Sequence, residues 1–529
     1  MHHNAPFSIP EIKSFIPEKV KPWILFVFFI IYQLSGGVYM AAVADMSGSL
    51  ALMQEDILMA GFASLVGLGL TFTIMFRLKF RFSTKTSLTA TALGLVACNL
   101  ICAHTSSVPI LVAASFVAGF FRMWGTFACN STIQLWVTPT RNMAVWFCYI
   151  QLCVQCFLQL SGLTTIYVAF LSQWEYMHWL IIGCLLVLTL VTQVTFRHHR
   201  FMKPLPLFGI DWMGAALWAT TLLCSIFVLN YGDYYNWYDS RYIWMGTLAG
   251  AAALVLNVWR ASFIRHPFIS NQTWRYRNVW LTFLLLAVTN ILLGPSHTLE
   301  HIYTSSILRY DELNLISLNW IVLLGIICGA VFTYATFAKL KWRYKTMTTI
   351  GFSFLVGYLM VMYFTIDYNL PKEMLFLPLL LRGVGSIIIT ITLITALSVV
   401  PFHHFAQSLT VQSFMSACLG SMLGTAILTY AFKHVTAKNI VLLSPNLDRV
   451  NTAVSHIPAG NIYGGLQQHA MLLSMKEIYG WLGLLGIFCL LAFLLRESSL
   501  RPQSLHPKFK SIRRALKHEL KLDKLAPEE

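Results

Sequence analysis

The stretch RHHRFMKPLPLFGIDWMGAAL, residues 197–217, sets a basic cluster and two prolines between long apolar runs. It is either the hinge between two halves of a membrane protein or the start of a segment inserted between them. The chain around it has 529 residues, 57% of them hydrophobic and 11% charged, where a soluble domain carries about 25% charged residues. Apolar runs of about 20 residues recur throughout, each long enough to cross about 30 Å of hydrocarbon as a helix. The chain therefore reads as an integral membrane protein. Ala42-Val43-Ala44 mimics a signal cleavage site, but the apolar run before it is too long for a signal peptide. The eleven cysteines fall inside apolar runs and read as buried free thiols, not a disulfide framework or a metal site. The formal charge of +16 fits basic loops that hold one side in the cytoplasm, with no call for nucleic acid. No cofactor is indicated.

Fourteen spans are expected, at about 22–44, 56–76, 84–103, 108–130, 142–171, 176–196, 210–231, 241–261, 278–302, 315–338, 346–366, 374–399, 405–432 and 477–496. The basic residues test that count. Lys13, Lys19 and Lys21 precede the first span; Arg77, Lys79, Arg81 and Lys85 follow the second; Arg141 follows the fourth. Arg197, Arg200 and Lys203 follow the sixth, Arg260, Arg265, Arg275 and Arg277 the eighth, and Lys339, Lys341, Arg343 and Lys345 the tenth. The tail adds Arg496, Arg501, Lys508, Lys510, Arg513 and Arg514. Every group sits after an even number of spans, while the odd loops hold acids such as Glu55, Asp56, Glu175, Asp233 and Glu373. One missed span would break this alternation, so both termini are expected in the cytoplasm.

The plan is then six spans, two spans and six spans, and residues 197–217 open an inserted pair. The expected divisions are a cytoplasmic segment at 1–21 and a first six-helix bundle at 22–196. Basic linkers with the inserted pair follow at 197–277, then a second bundle at 278–496 with a long external loop at 433–476. A basic amphipathic tail at 497–529 lies on the inner surface, with Phe509, Ile512, Leu516 and Leu520 on one face.

Local sequence carries a resemblance. Residues 208–243, FGIDWMGAALWATTLLCSIFVLNYGDYYNWYDSRYI, open with Asp211-x-x-Gly214 and continue to Gly232 and Asn236-Trp237-Tyr238. With RHPFISNQTWRYRNV (265–279) and QQHAMLLSMKEIYGWLG (467–483), they resemble the fourteen-span drug:proton antiporters of the major facilitator superfamily, the EmrB/QacA type of multidrug exporter. The resemblance implies two six-helix bundles plus two central helices and proton-coupled efflux of hydrophobic or amphipathic small molecules by alternating access. It also implies a multi-pass location in the bacterial plasma (inner) membrane, with a periplasmic adaptor protein and an outer-membrane channel as partners. The family's signatures are degraded. Ser35, Met40 and Ala44 stand where its first span has Asp, Asn and Pro. The loop MFRLKFRFSTK (75–85) keeps the basic charges but lacks the Gly and Asp, and QLCVQCFLQLSGL (151–163) replaces the Gly-Pro motif of span five.

Polar groups inside spans are costly and mark cavities or helix contacts. Gln151, Gln155 and Gln159 form one stripe of span five, read as the wall of a substrate cavity, with helix–helix bonding as the plainer alternative. Asn290, Gly294, His297 and His301 recur along span nine with Glu300 beside them. His297-x-x-Glu300-His301 matches an inverted zinc-protease pattern, but an ionisable cluster near the outer mouth is the simpler reading. Arg122 in span four and Arg382 in span twelve each want an acid or an anionic ligand. With Ser35 replacing the family acid, a proton would ride on Glu300 with His301, or on Asp45. Small molecules, protons and membrane lipids are the expected partners.

Two rival readings are a polytopic acyl or prenyl transferase, for which His403-His404 is the nearest reactive pair, and an uncoupled lipid or metabolite facilitator. Topology is testable directly. In a Cys-less background, a cysteine at 341 should label only from the cytoplasm and one at 455 only from outside; the reverse pattern would exclude the fourteen-span plan.

Overall fold

The computed structural model describes residues 11–138, 142–199, 207–310, 312–447 and 458–495. The basic tail at 497–529, with its expected amphipathic helix, and Arg141, Arg200 and Lys203 lie outside the described residues. The described chain is helical in every span. Thirteen helices are long and apolar enough to cross a membrane, and Lys21–Leu34 is a shorter apolar one. It is a multi-pass membrane protein.

The first bundle holds α1 (Lys21–Leu34), α2 (Val43–Leu50), α3 (Gln54–Arg81), α4 (Thr84–His104), α5 (Val108–Val137), α6 (Met143–Leu171) and α7 (Glu175–Thr195). The inserted pair is α8 (Trp212–Tyr231) and α9 (Arg241–Phe263). The second bundle begins with α10 (Arg277–Leu293), a 3-10 turn at Gly294–Ser296, α11 (Leu299–Ile302) and a π turn at Tyr303–Ile307. It continues through α12 (Glu312–Thr333), α13 (Tyr344–Thr365), α14 (Phe376–Leu397), α15 (Phe402–Ser413), α16 (Gly420–Leu443) and α17 (Ala459–Leu495). The two bundles repeat one packing plan. Their second and fourth spans pair (α3 with α5, α12 with α14), and so do their third and sixth (α4 with α7, α13 with α17).

Glycines make the closest of these pairings possible, as expected where lipid offers no hydrophobic drive for helix association. A Cβ at Gly67 would overlap Phe116 O, and one at Gly119 would overlap Ser64 O. The second bundle does the same at the equivalent place: a Cβ at Gly325 would stand 2.5 Å from Leu380 O and one at Gly383 2.6 Å from Val322 O. Gly424, in the small-residue spacing of span thirteen, meets Gly294 and the Asn290 carbonyl.

Three sequence expectations are corrected. Span one is not a continuous helix over 22–44. It ends at Leu34 and is irregular through Gly36 and a bend at Gly37–Val38 before a 3-10 turn at Met40–Ala42. Ser35 Oγ donates to Tyr32 O at 2.9 Å, and a Cβ at Gly37 would stand 2.8 Å from Ser115 Cα, so the break is pressed against α5. The external loop expected at 433–476 is helical over 433–443 and 459–476, because α16 and α17 continue beyond their apolar spans. Asn439 Nδ2 donates to Ser474 Oγ at 2.9 Å, and Lys438 pairs with Glu477 at 3.4 Å, so the two extensions hold each other. Among the eleven cysteines, all free, Cys328 is exposed rather than buried.

The inserted pair is fixed at both ends. Asp211 caps α8 by accepting from Gly214 N at 3.0 Å, and also accepts from Arg260 Nη1 at 2.6 Å and Phe268 N at 3.1 Å. That explains Asp-x-x-Gly: a Cβ at position 214 would overlap the cap carboxylate. At the other end, Tyr231 donates to Asp56 at 2.5 Å and Asn230 to Glu55 O at 2.6 Å, tying α8 to α3.

The bundles meet toward the face that carries the basic linkers. Thr73 and Thr410 share a hydrogen bond of 2.7 Å, the rings of Phe147 and Phe405 pack in a tilted arrangement at 6.4 Å, and Ala144 and Cys148 of α6 are buried in the second bundle's core. Gly119→Val should drive a branched side chain into the α3 backbone and destabilise the first bundle by about 1–3 kcal/mol. Thermal unfolding of the purified protein checks this, and an unchanged midpoint would mean that α3 and α5 are not packed this closely.

Candidate functional site

Span nine breaks where the sequence offers Gly294-Pro295, and the break places the only clustered charges of the second bundle's interior among the described residues. Pro295, the second residue of the short 3-10 turn, cannot donate to the preceding turn. His297 and His301 therefore lie on either side of an irregular joint rather than one turn apart on a regular helix. The described residues hold no group of three His, Cys, Asp or Glu side chains placed to share a metal ion.

The joint aims Glu300 at α14. Glu300 Oε2 accepts from Arg382 Nη1, and Glu300 Oε1 accepts from Tyr358 Oη of α13 at 2.5 Å. Both members of the ion pair keep 14% of their side-chain surface exposed. Tyr358 is fully buried and packs edgewise on Tyr479 of α17 at 6.3 Å. One carboxylate thus connects spans nine, eleven and twelve, and the Tyr358 ring extends the cluster to span fourteen. His297 and His301 are exposed beside it. The π turn that follows is held by Tyr303 Oη, which donates to Asp367 O at 2.6 Å.

Arg122 lies on α5 of the first bundle, and its partner is not an acid. Its Nη2 donates to Gln33 O at 2.7 Å and lies 3.4 Å from Gln33 Oε1. Gln33 Nε2 in turn donates to Thr126 Oγ1 at 3.2 Å. Gln33 is in the last turn of α1, whose carbonyls lose their partners when the helix stops at Leu34. Arg122 satisfies one of them and sets its charge at the negative end of the helix dipole. Its buried Nε has no hydrogen-bond partner.

The other expected residues are distributed as follows. Asn290 Nδ2 donates to Leu286 O at 2.8 Å and Met415 O at 3.3 Å, so its amide joins α10 to the π turn at Phe414–Leu419. Gln151, Gln155 and Gln159 are half-buried on α6, the helix that packs on α12 and α14. Their neighbours Leu152 and Cys156 pack against the second bundle's core. Asp45 is exposed on α2, beyond the break in span one. His404, from the pair weighed as a reactive centre, is buried with Nδ1 3.0 Å from Thr273 Oγ1, where it fastens the basic linker to α15.

Sequence reasoning missed Tyr358, which no spacing marks, and Gln33, whose role exists only because α1 breaks. It also missed Glu11. This residue is buried, pairs with Lys79 at 3.2 Å and accepts from Thr84 Oγ1 and Thr132 Oγ1. It brings a carboxylate to the loop after span two, where the resembled family has its Asp. The N-terminal segment that carries it meets the end of α7 through a single antiparallel bridge between Ile12 and Phe196.

No family model matches the sequence, and no curated protein matches it. Solved structures do match. One is a crystal structure of tetrameric PepTSo2, with TM-score 0.57 and 13% identity over 90% of this chain and 97% of that one. Another comes from work on proton dependent oligopeptide transporters, with TM-score 0.55 and 12% identity over 90% and 97%. The chain has the major facilitator fold. Identity this low speaks for the fold alone.

The Glu300–Arg382 pair should behave as a coupled unit. Glu300→Gln or Arg382→Gln alone leaves one buried charge unmatched and should cost about 3–5 kcal/mol. The double variant should recover a good part of that. A double-mutant cycle on thermal unfolding measures it, and additive losses would show that the two side chains do not interact.

Proposed function

We propose that this chain is a secondary transporter that exports amphipathic small molecules by alternating access of its two bundles, driven by protons. The observation that carries the reading is the placement of interior charge: a Glu300–Arg382–Tyr358 cluster in one bundle and, in the other, Arg122 with no acidic partner among the described residues. Buried charge is expensive in a membrane and persists where it serves a pathway. The major facilitator fold supports alternating access, since a site between two bundles can be opened to either side by rocking one against the other.

In this reading Arg122 receives an anionic or polar group of the substrate, and Gln151, Gln155 and Gln159 offer amides along the wall. Glu300 carries the proton. While ionised, it holds Arg382 and Tyr358 and so fixes α11, α13 and α14 together. A proton arriving from the acid-rich face removes the charge that Arg382 answers and loosens that joint, which favours the turn inward. Asp45, exposed on α2, has no such leverage. The basic face is the cytoplasmic one, both termini lie there, and the membrane is the bacterial inner membrane. The helical hairpin of α16 and α17 extends away from that face. The eleven residues from Lys433 to Leu443 alone reach about 16 Å at the helical rise, which suits docking by a periplasmic adaptor feeding an outer-membrane channel.

Proteoliposomes with an imposed pH gradient test the reading, with ethidium and the anion 8-anilinonaphthalene sulfonate as probes. Wild type should move at least one probe in response to the gradient, with the anion favoured. Glu300→Gln should abolish the gradient response while binding persists. Arg122→Gln should weaken binding of the anion about tenfold or more, the range for losing a charge-assisted contact. Gradient-independent movement by wild type would rule out proton coupling and favour the uncoupled facilitator. An undiminished response in Glu300→Gln would take the proton away from this site.

A further inference from the structure

A cavity of about 780 Å³ opens on the basic face, away from the Glu300 cluster. Its walls are α3, the start of α8, the 263–277 linker and α15. Arg77, Arg265, Arg275 and His266 line it. Asp211 lines it too, but that carboxylate is already taken by Arg260 and two backbone amides. None of the three lining arginines has an ion-pair partner among the described residues. Arg77 is half-buried and lies over Gly209, where a Cβ would overlap its Nη1. Arg265 and Arg275 are exposed toward the opening.

We infer that this cavity is a binding site for a phosphate-bearing anion, and that the anion holds the basic face of the transporter shut. Guanidinium forks match phosphate oxygens in pairs. Basic pockets between spans at this depth meet the anionic headgroups of the adjoining leaflet. The volume exceeds what a bare phosphate fills and lies in the range of sites that enclose a small organic ligand. Ser262, Asn271 and Gln272 add polar groups along the wall for a hydroxylated headgroup. The site straddles the seam between the bundles. Gln407 of α15 accepts from Ser270 N at 3.2 Å and Thr273 Oγ1 at 2.7 Å, which fastens the linker to the second bundle next to Arg275, while Phe268 N binds its other part to the Asp211 cap of α8. Arg77 belongs to α3 of the first, and Thr73, one turn before it, lines the cavity and makes the seam's bond to Thr410. An anion gripped from both sides must be released before the bundles part here.

The test uses the full-length purified protein in neutral detergent. Thermal unfolding is followed with short-chain phosphatidylglycerol, phosphatidylcholine and inorganic pyrophosphate as separate probes. Phosphatidylglycerol should raise the midpoint in a saturable way while phosphatidylcholine, whose net charge is zero, does not. Arg265→Gln/Arg275→Gln removes only exposed side chains and should weaken the apparent affinity about tenfold or more. Gly209→Val, which displaces Arg77 and leaves the other arginines in place, should weaken it independently. Saturable stabilisation by pyrophosphate alone, lost in the same variants, supports the site and names a soluble anion as its ligand. No shift with any probe, or equal shifts in wild type and both variants, overturns the inference.

Discussion

Hydrocarbon cannot hydrogen-bond a peptide group, and the rest of the structure follows from that constraint. Each span must close its own backbone ladder, so the described spans are helices. A ladder can open only where protein, not lipid, supplies the missing partners. The breaks conform. At the end of α1, Gln33 O is met by Arg122 and Tyr32 O by Ser35. At the π turn of span thirteen, Met415 O is met by Asn290. After the joint in span nine, the π turn is tied to Asp367 O through Tyr303. Irregular backbone and interior polar side chains therefore occur together, since each makes the other tolerable.

That coupling changes how the two interior arginines are understood. Arg382 answers an acid, so its charge is matched and its removal is costly mainly because Glu300 would be left behind. Arg122 answers a helix end, a partial charge of about half a unit at most. One bundle holds a balanced pair and the other an excess of positive charge. In the proposed function, that asymmetry is what would favour negative or polar groups on the first bundle and let a proton act on the second. The repeated glycine contacts of α3 with α5 and of α12 with α14 bring the paired backbones of each bundle into direct contact.

Much of the architecture was legible beforehand because its causes are local in sequence. Apolar length locates spans, the alternation of Lys and Arg counts them, and the basic stretch at 197–217 marks the inserted pair. Asp211 and Gly214 were visible as a motif, and the cap geometry supplies its reason. Boundaries failed where apolarity and helicity part company. Gly36-Gly37 ends a helix inside an apolar run, and the α16–α17 hairpin stays helical outside one because Asn439, Ser474, Lys438 and Glu477 pair across it. The candidate residues were legible as polar groups in costly places, but not by role. Asn290 was legible as a polar group of span nine but its bond to Met415 O was not, and nothing in the first span's flank shows that Glu11 reaches Lys79.

The sequence by itself determined that this protein crosses a membrane many times, in two groups of six spans around a pair, with charges left in its interior. Those facts rest on transfer energies and on the charge of loops, both properties of residues taken one at a time. Only the tertiary structure decided which charges meet. Tyr358 and Arg382 stand 58 and 82 residues beyond Glu300 along the chain, and they converge because glycine lets α12 and α14 pack closely and proline bends span nine toward them. The pairing of a carboxylate is a matter of a few ångströms between helices, and no spacing along one helix encodes it.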